Sequence, residues 1–181
     1  MSATVKTPEP LERHEVTIQY LEQLAPRVQM PVATPGKKLA VMRAETPPVG
    51  YYRFLFNGVG EKHRWVSRRY ISDAELKTII HHEDVHIYPL LMNGSPMGYS
   101  EIDAKDKENV TIRFFGLLAE AQGLGLGRWF FRETTRLAWS FTPKRVLIET
   151  CSLDSPRALQ LYQREGFTIY DRASGVIEWY G

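Results

Sequence analysis

The sequence predicts an α+β fold: a mostly antiparallel sheet flanked by helices, with one parallel crossover built around a glycine loop. Three observations carry this reading. Strand-like runs open the chain, fill its middle and close it. Two of the helical stretches between them carry their own start signals. A single strand, loop, helix and strand unit over 109–151 provides the crossover.

In chain order, "HEVTIQYLEQL" (14–24) alternates apolar residues at Val16, Ile18 and Tyr20, the period of a strand. "APRVQMPVATPGKK" is broken by proline and reads as loop, and "LAVMRAE" (39–45) as a second strand. Pro47 and Pro48 precede "VGYYRFLFNGVG", which opens a first helix. "ISDAELKTIIHH" (71–82) is a second helix, with Ser72 and Glu75 forming a capping box and Leu76, Ile79 and Ile80 an apolar stripe. "HIYPLLMNGSPMGYSEID" (86–103) is a hairpin turning at "NGSP", and "NVTIRFFGLL" (109–118) is the next strand. After the glycine loop come a helix over 128–141, an apolar strand at "RVLIETC" (145–151), and a helix over 155–167 with Pro156 in its first turn and Gly166 at its end. Two short strands, "TIYDRA" and "GVIEWY", close the chain.

Its 181 residues suit one domain with a sizeable core, over 13–181, behind a flexible lead-in at 1–12. With 43% apolar and 24% charged residues the composition is that of an ordinary folded protein rather than a disordered one. A net charge of +2 argues for no nucleic acid partner. No apolar run approaches a membrane span, and the first residues lack the apolar core of a secretory signal. The single cysteine, Cys151, excludes an internal disulfide and suits a reducing cytoplasm.

Chemistry enters at "AQGLGLGRWFF", where Gly123, Gly125 and Gly127 alternate between a strand and a helix start. The unpaired N–H groups of a first helical turn and the helix dipole attract an anion, and glycine lets a phosphate approach the backbone closely. A P-loop is excluded because Arg128-Trp129 stands where Lys-Ser or Lys-Thr is needed. A dinucleotide fingerprint is excluded too. The third glycine falls one position early, and only about thirty residues follow Cys151, too few to complete a doubly wound sheet.

"Q-G-L-G-L-G" (Gln122 to Gly127) resembles the Q/R-x-x-G-x-G/A signature of the GNAT N-acetyltransferases. "SPRALQLYQREGF" is similar to their second signature, with Ala158, Leu161, Tyr162, Gly166 and Phe167 in register. The resemblance covers about 86–172. It implies a GNAT-like sheet with a splayed strand pair at the cofactor site and acetyl-coenzyme A as co-substrate, its pyrophosphate on Gly123, Leu124, Gly125, Leu126 and Gly127, flanked by Gln122 and Arg128. It implies that the strand Phe115 to Leu118 pairs with the pantetheine arm, with Gly116 allowing a bulge and Leu117 and Leu118 offering backbone groups. Ser155 stands for the family's Asn, Ala119 for its usual proline, and Thr111 where several relatives carry a carboxylate.

By family position Tyr162 is the acid that protonates the leaving thiolate. For the base, Glu101, flanked by Tyr99 and Ile102, is the choice, with bound water, Asp103 and Glu149 as rivals and an ion pair with Arg113 as its alternative role. Cys151 reads as a small residue ending a strand, and His81, His82 and His86 as helix-end and loop residues; no metal is expected. The acceptor, a small-molecule or peptide amine, is expected among the aromatics and arginines of "GYYRFLFNGVGEKHRWVSRRY": Tyr51, Tyr52, Phe54, Phe56, Trp65, Arg53, Arg68 and Arg69. The enzyme is expected as a monomer or homodimer. The competing reading is a non-catalytic acyl-coenzyme A sensor or scaffold of the same fold.

Overall fold

The computed structural model describes residues 9–27 and 36–181; the first eight residues of the lead-in and the middle of the proline-rich loop lie outside them. The described residues form one seven-stranded sheet in the order β2-β3-β4-β5-β6-β1-β7. Its strands are β1 (Glu12–Gln23), β2 (Leu39–Val41), β3 (Val85–Met92), β4 (Ser95–Asp103), β5 (Asn109–Leu117), β6 (Arg145–Cys151) and β7 (Thr168–Trp179). The helices are α1 (Val49–Gly60), α2 (Asp73–Ile80), α3 (Leu126–Trp139) and α4 (Pro156–Arg164). Only β5 and β6 run parallel; all other neighbours are antiparallel.

The helices cover both faces. Tyr52, Leu55, Phe56 and Val59 of α1, with Leu76 and Ile80 of α2, pack against Ile87, Tyr99 and Phe114. On the other face Phe131 and Ala138 of α3 and Tyr162 of α4 meet Ile102, Ile112, Val146 and Ile148. Burial from both sides explains why β3 is apolar at nearly every position, with His86 the exception, rather than alternating. Pro89 is tolerated there because the outer edge of β3 is paired at Leu90 by β2 and at Ile87 by Ala44, with a gap between them that needs no N–H. The capping box of α2 is complete, with Ser72 and Glu75 each accepting from the other's backbone.

Two differences from the sequence-based expectation decide the site. The ladder between β4 and β5 pairs Ile102 with Ile112 but Glu101 with Phe114, so Arg113 is the extra residue of a bulge. The bulge therefore lies at Arg113 and not at Gly116. Gly116 is needed for another reason: a Cβ there would lie 2.3 Å from Val59 Cγ1, so α1 could not settle on the sheet. The second difference is at the chain ends. "TIYDRA" and "GVIEWY" form one strand, β7, because β1 pairs with it along its whole length, from Glu12–Trp179 to Glu22–Thr168, with one extra residue at Tyr170. β1 itself slots between β6 and β7.

Candidate active site

β5 and β6 pair only from Asn109–Arg145 to Ile112–Ile148, after which the bulge turns β5 away. The notch so formed opens into a cavity of about 830 Å³. In an antiparallel ladder successive residues aim their backbone groups to opposite sides. The Leu118 N–H is spent on Met97 O at 2.9 Å, which leaves those of Phe115 and Leu117 on the notch side. Of the three positions expected to meet the cofactor arm, Phe115 and Leu117 line the cavity, while Leu118 is buried under α1 with its amide engaged.

The glycine loop forms one end of the cavity. Gly123 and Gly125 have φ of +80° and +75°, values that side chains other than glycine rarely adopt, and an added Cβ at either would meet nothing within 4 Å. The glycines thus serve two purposes, the backbone turn and the open space above it. Gly125 caps α3 without any side-chain hydrogen bond, so the first-turn N–H groups of α3 face the cavity without a side-chain acceptor. Gln122, Leu126, Gly127 and Arg128 line this end, whereas Leu124 packs into the core beside Leu126 and Phe130. Gln122 accepts from Lys62 at 2.8 Å. Arg128 Nε and Arg132 Nε each bond the buried Glu165 at 2.6 Å. Burial opposes the Glu165 charge, yet Arg132 and Arg128 hold its carboxyl below the usual carboxylate range.

Ser155 lines the cavity and caps α4, accepting from the Arg157 N–H at 3.3 Å. Tyr162 also lines the cavity, its ring 4.7 Å from that of Phe131. Burial, with a smaller push from Asp154, raises the Tyr162 pKa and keeps its hydroxyl protonated. Cys151, the last residue of β6, lines the same cavity, and burial and Asp154 raise its thiol too, so it stays un-ionised at neutral pH. Asp154 is committed on both oxygens, to Trp65 Nε1 at 3.1 Å and to Thr150 Oγ1 and Cys151 N at 2.9 and 2.8 Å.

Glu101 does not reach the cavity. It is 1% exposed, accepts a hydrogen bond from the Tyr52 hydroxyl, and pairs with Arg68 Nη2 at 3.0 Å. Its partner is Arg68 rather than Arg113, which lies 3.7 Å from Asp103. The strand parity that the sequence left open puts Glu101 on the α1 face, where a tyrosine and an arginine fix it. Glu149 lines the cavity and is exposed.

The other end of the cavity comes from the expected segment but mostly from different residues. Trp65 is there as expected, joined by Val59, His63, Arg64, Val66 and Ser67. Tyr52 and Phe56 are core residues, Arg53 binds the carbonyls of Arg68, Arg69 and Ile71, and Arg69 stacks on Trp179 at 4.4 Å. Val16 and Ile18 of β1 and Gly175, Val176 and Ile177 of β7 complete the wall. No local signal marks these five, since only the pairing of the chain ends brings them here. Among the described residues no cluster of three metal-ligating side chains occurs, and no helix is long and apolar enough to cross a membrane.

The chain belongs to the GNAT acetyltransferase family, whose model matches residues 52–167. Among curated proteins no sequence match is found. A conserved Staphylococcus epidermidis protein of unknown function superposes with a TM-score of 0.61 at 15% identity, covering 94% of this chain and 64% of that one. A Drosophila protein gives 0.62 at 11% identity, with 93% and 52% covered. This chain therefore spans about half to two thirds of the length of those two. A GNAT family acetyltransferase from Elizabethkingia anophelis with acetyl-CoA bound gives 0.54 at 21% identity, with 74% and 78% covered.

Proposed function

We propose that this member of the GNAT family transfers the acetyl group of acetyl-coenzyme A directly to a primary amine of a small molecule or peptide. One observation carries the reading: a single cavity joins the open N-terminus of α3 to Tyr162 through the notch between β5 and β6. The residues fit acetyl-coenzyme A. The space above Gly123 and Gly125 and the uncapped amides of α3 suit its diphosphate, and the notch-side backbone of Phe115 and Leu117 suits the amides of its pantetheine arm.

Bound there, acetyl-coenzyme A supplies an activated acyl group as its thioester. Tyr162 gives its proton to the sulfur as the bond between sulfur and acetyl carbon breaks, a role that its raised pKa favours over the ionised form. Cys151, held as the thiol, is a poor nucleophile, which supports direct transfer over an acetyl-cysteine intermediate. Glu101 serves to fix Arg68, and with it the loop between α1 and α2 that closes the acceptor end.

The test is thiol release from acetyl-coenzyme A across a panel of amines, amino acids and peptides, alongside calorimetry of coenzyme A binding. Amine-dependent release supports the transferase. Tight coenzyme A binding with no release for any amine overturns it in favour of an acyl-coenzyme A sensor, and absence of binding overturns both.

A further inference from the structure

We propose that His63 is the general base of the transfer, an assignment that rests on the acetyltransferase reading above. His63 ends the short turn after α1, is partly buried, and lines the acceptor end of the cavity. Its Nδ1 lies 3.1 Å from the carbonyl oxygen of Leu153. A carbonyl only accepts, so the proton of the neutral ring sits on Nδ1 and Nε2 keeps a free lone pair.

The ring is held in place at several points. Two residues on, Trp65 donates to Asp154, next to Leu153, so the loop is clamped twice to the turn between β6 and α4. Between them Arg64 bonds both oxygens of Glu12 at 2.9 Å and lies 4.9 Å from the centre of the Trp179 ring, which ties the loop to β1 and β7. The base then stands on the loop wall and Tyr162 on the α4 wall of one cavity.

The carboxylates near it are less suited. Asp154 has both oxygens engaged, Glu101 is sealed behind Arg68, and Glu12 is taken by Arg64. Glu149 is exposed, and nothing among the described residues holds it in one orientation as the Leu153 carbonyl holds His63. In the reaction His63 Nε2 accepts a proton from the amine nitrogen as nitrogen bonds the acetyl carbon, while Tyr162 gives one to sulfur as the carbon–sulfur bond breaks. Return of one proton from His63 to Tyr162 through water restores both groups.

The charged and titratable groups that line the cavity with His63 are Arg64 on its own loop, bonded to Glu12 from β1, Arg113 from β5, Arg128 from α3, Glu149 and Cys151 from β6, Asp154 from the turn after it, and Arg157, Tyr162 and Arg164 from α4. His63→Gln keeps a donor for Leu153 but cannot take a proton. With acetyl-coenzyme A and tyramine, spermidine and a lysine peptide as acceptor probes, the variant is expected to lose about 100-fold in kcat/KM and the acidic limb of its pH profile. Its affinity for coenzyme A should not change. Nitrogen NMR of the wild-type protein is expected to show His63 protonated at Nδ1. Unchanged activity and profile, loss of the limb in Glu149→Gln instead, or a ring protonated at Nε2 would overturn the base. Absence of transfer by the wild-type protein to every probe would overturn the transferase reading and the base with it.

Discussion

The two ends of the cavity are built in opposite ways. The end proposed for the cofactor is nearly continuous in sequence: Phe115 to Arg128 supply strand, loop and helix start, and Ser155 to Tyr162 add a helix. The end proposed for the acceptor joins β1, the loop after α1, the end of β6 and β7, drawn from both extremes of the chain. A phosphate site needs only free N–H groups and room, which one short segment provides. An acceptor pocket needs walls, and walls come from long-range pairing. The first end is therefore set by local geometry and the second by the sheet order.

The largest expected effect comes at the meeting point of the two ends. Tyr162→Phe should lower kcat by about 10² to 10⁴-fold while KM and coenzyme A affinity change little, because the hydroxyl acts only as the thiolate forms. Steady-state kinetics with calorimetry check this, and an equal rate would return Tyr162 to a packing role against Phe131.

Next is the support of the acceptor end. Glu101→Gln leaves Arg68, whose side chain is 16% exposed, without its counter-charge, and removal of one partner of a buried pair costs about 3 kcal/mol. A lower melting temperature with the acidic limb of the pH profile intact is the expected result. Loss of that limb would make Glu101 the base after all.

At the cofactor end, Gly127→Glu should weaken coenzyme A binding on the order of 100-fold by placing a carboxylate against the diphosphate. Gly127 is the better site for this test than Gly125. It lies in the first turn of α3, where an added Cβ meets only Leu117 Cδ1 at 3.7 Å, whereas φ at Gly125 is +75° and any side chain would strain the backbone as well. Unchanged affinity with a normal melting temperature would remove the phosphate from this loop.

The smallest effect touches neither end and serves as a reference. His86 is buried against Phe141, and burial, then Arg43, lowers its pKa to about 4; Asp84 opposes this and Lys107 adds to it. The unfolded chain takes up this proton near pH 6.5 and the folded protein does not. Its share of stability is therefore complete above 6.5 and falls as the pH drops toward 4, by about 2 kcal/mol at pH 5. Urea unfolding at pH 7 and pH 5 should show this loss in the wild-type protein and not in His86→Phe.

Local signals in the sequence were sufficient where the structure is local. The capping box at Ser72, the Asn93–Gly94 hairpin, Pro156 at the start of α4 and the glycine loop each state their own geometry through the few residues that make it. The same holds for ten of the residues expected at the site, from Phe115 to Tyr162, that line the cavity. Glu101 was misplaced because its face depends on strand register, and a shift of one residue reverses it. His63 went unremarked because its value depends on a carbonyl ninety positions away. By itself the sequence determined most of the elements, the helix starts at Ser72 and Pro156 and the glycine turn before α3, all fixed by interactions within a few residues. Only the tertiary structure decided that β1 separates β6 from β7, that the bulge lies at Arg113, and which side chains of β1, β7 and the loop after α1 line the cavity, because these follow from burial and hydrogen-bond pairing between segments distant along the chain.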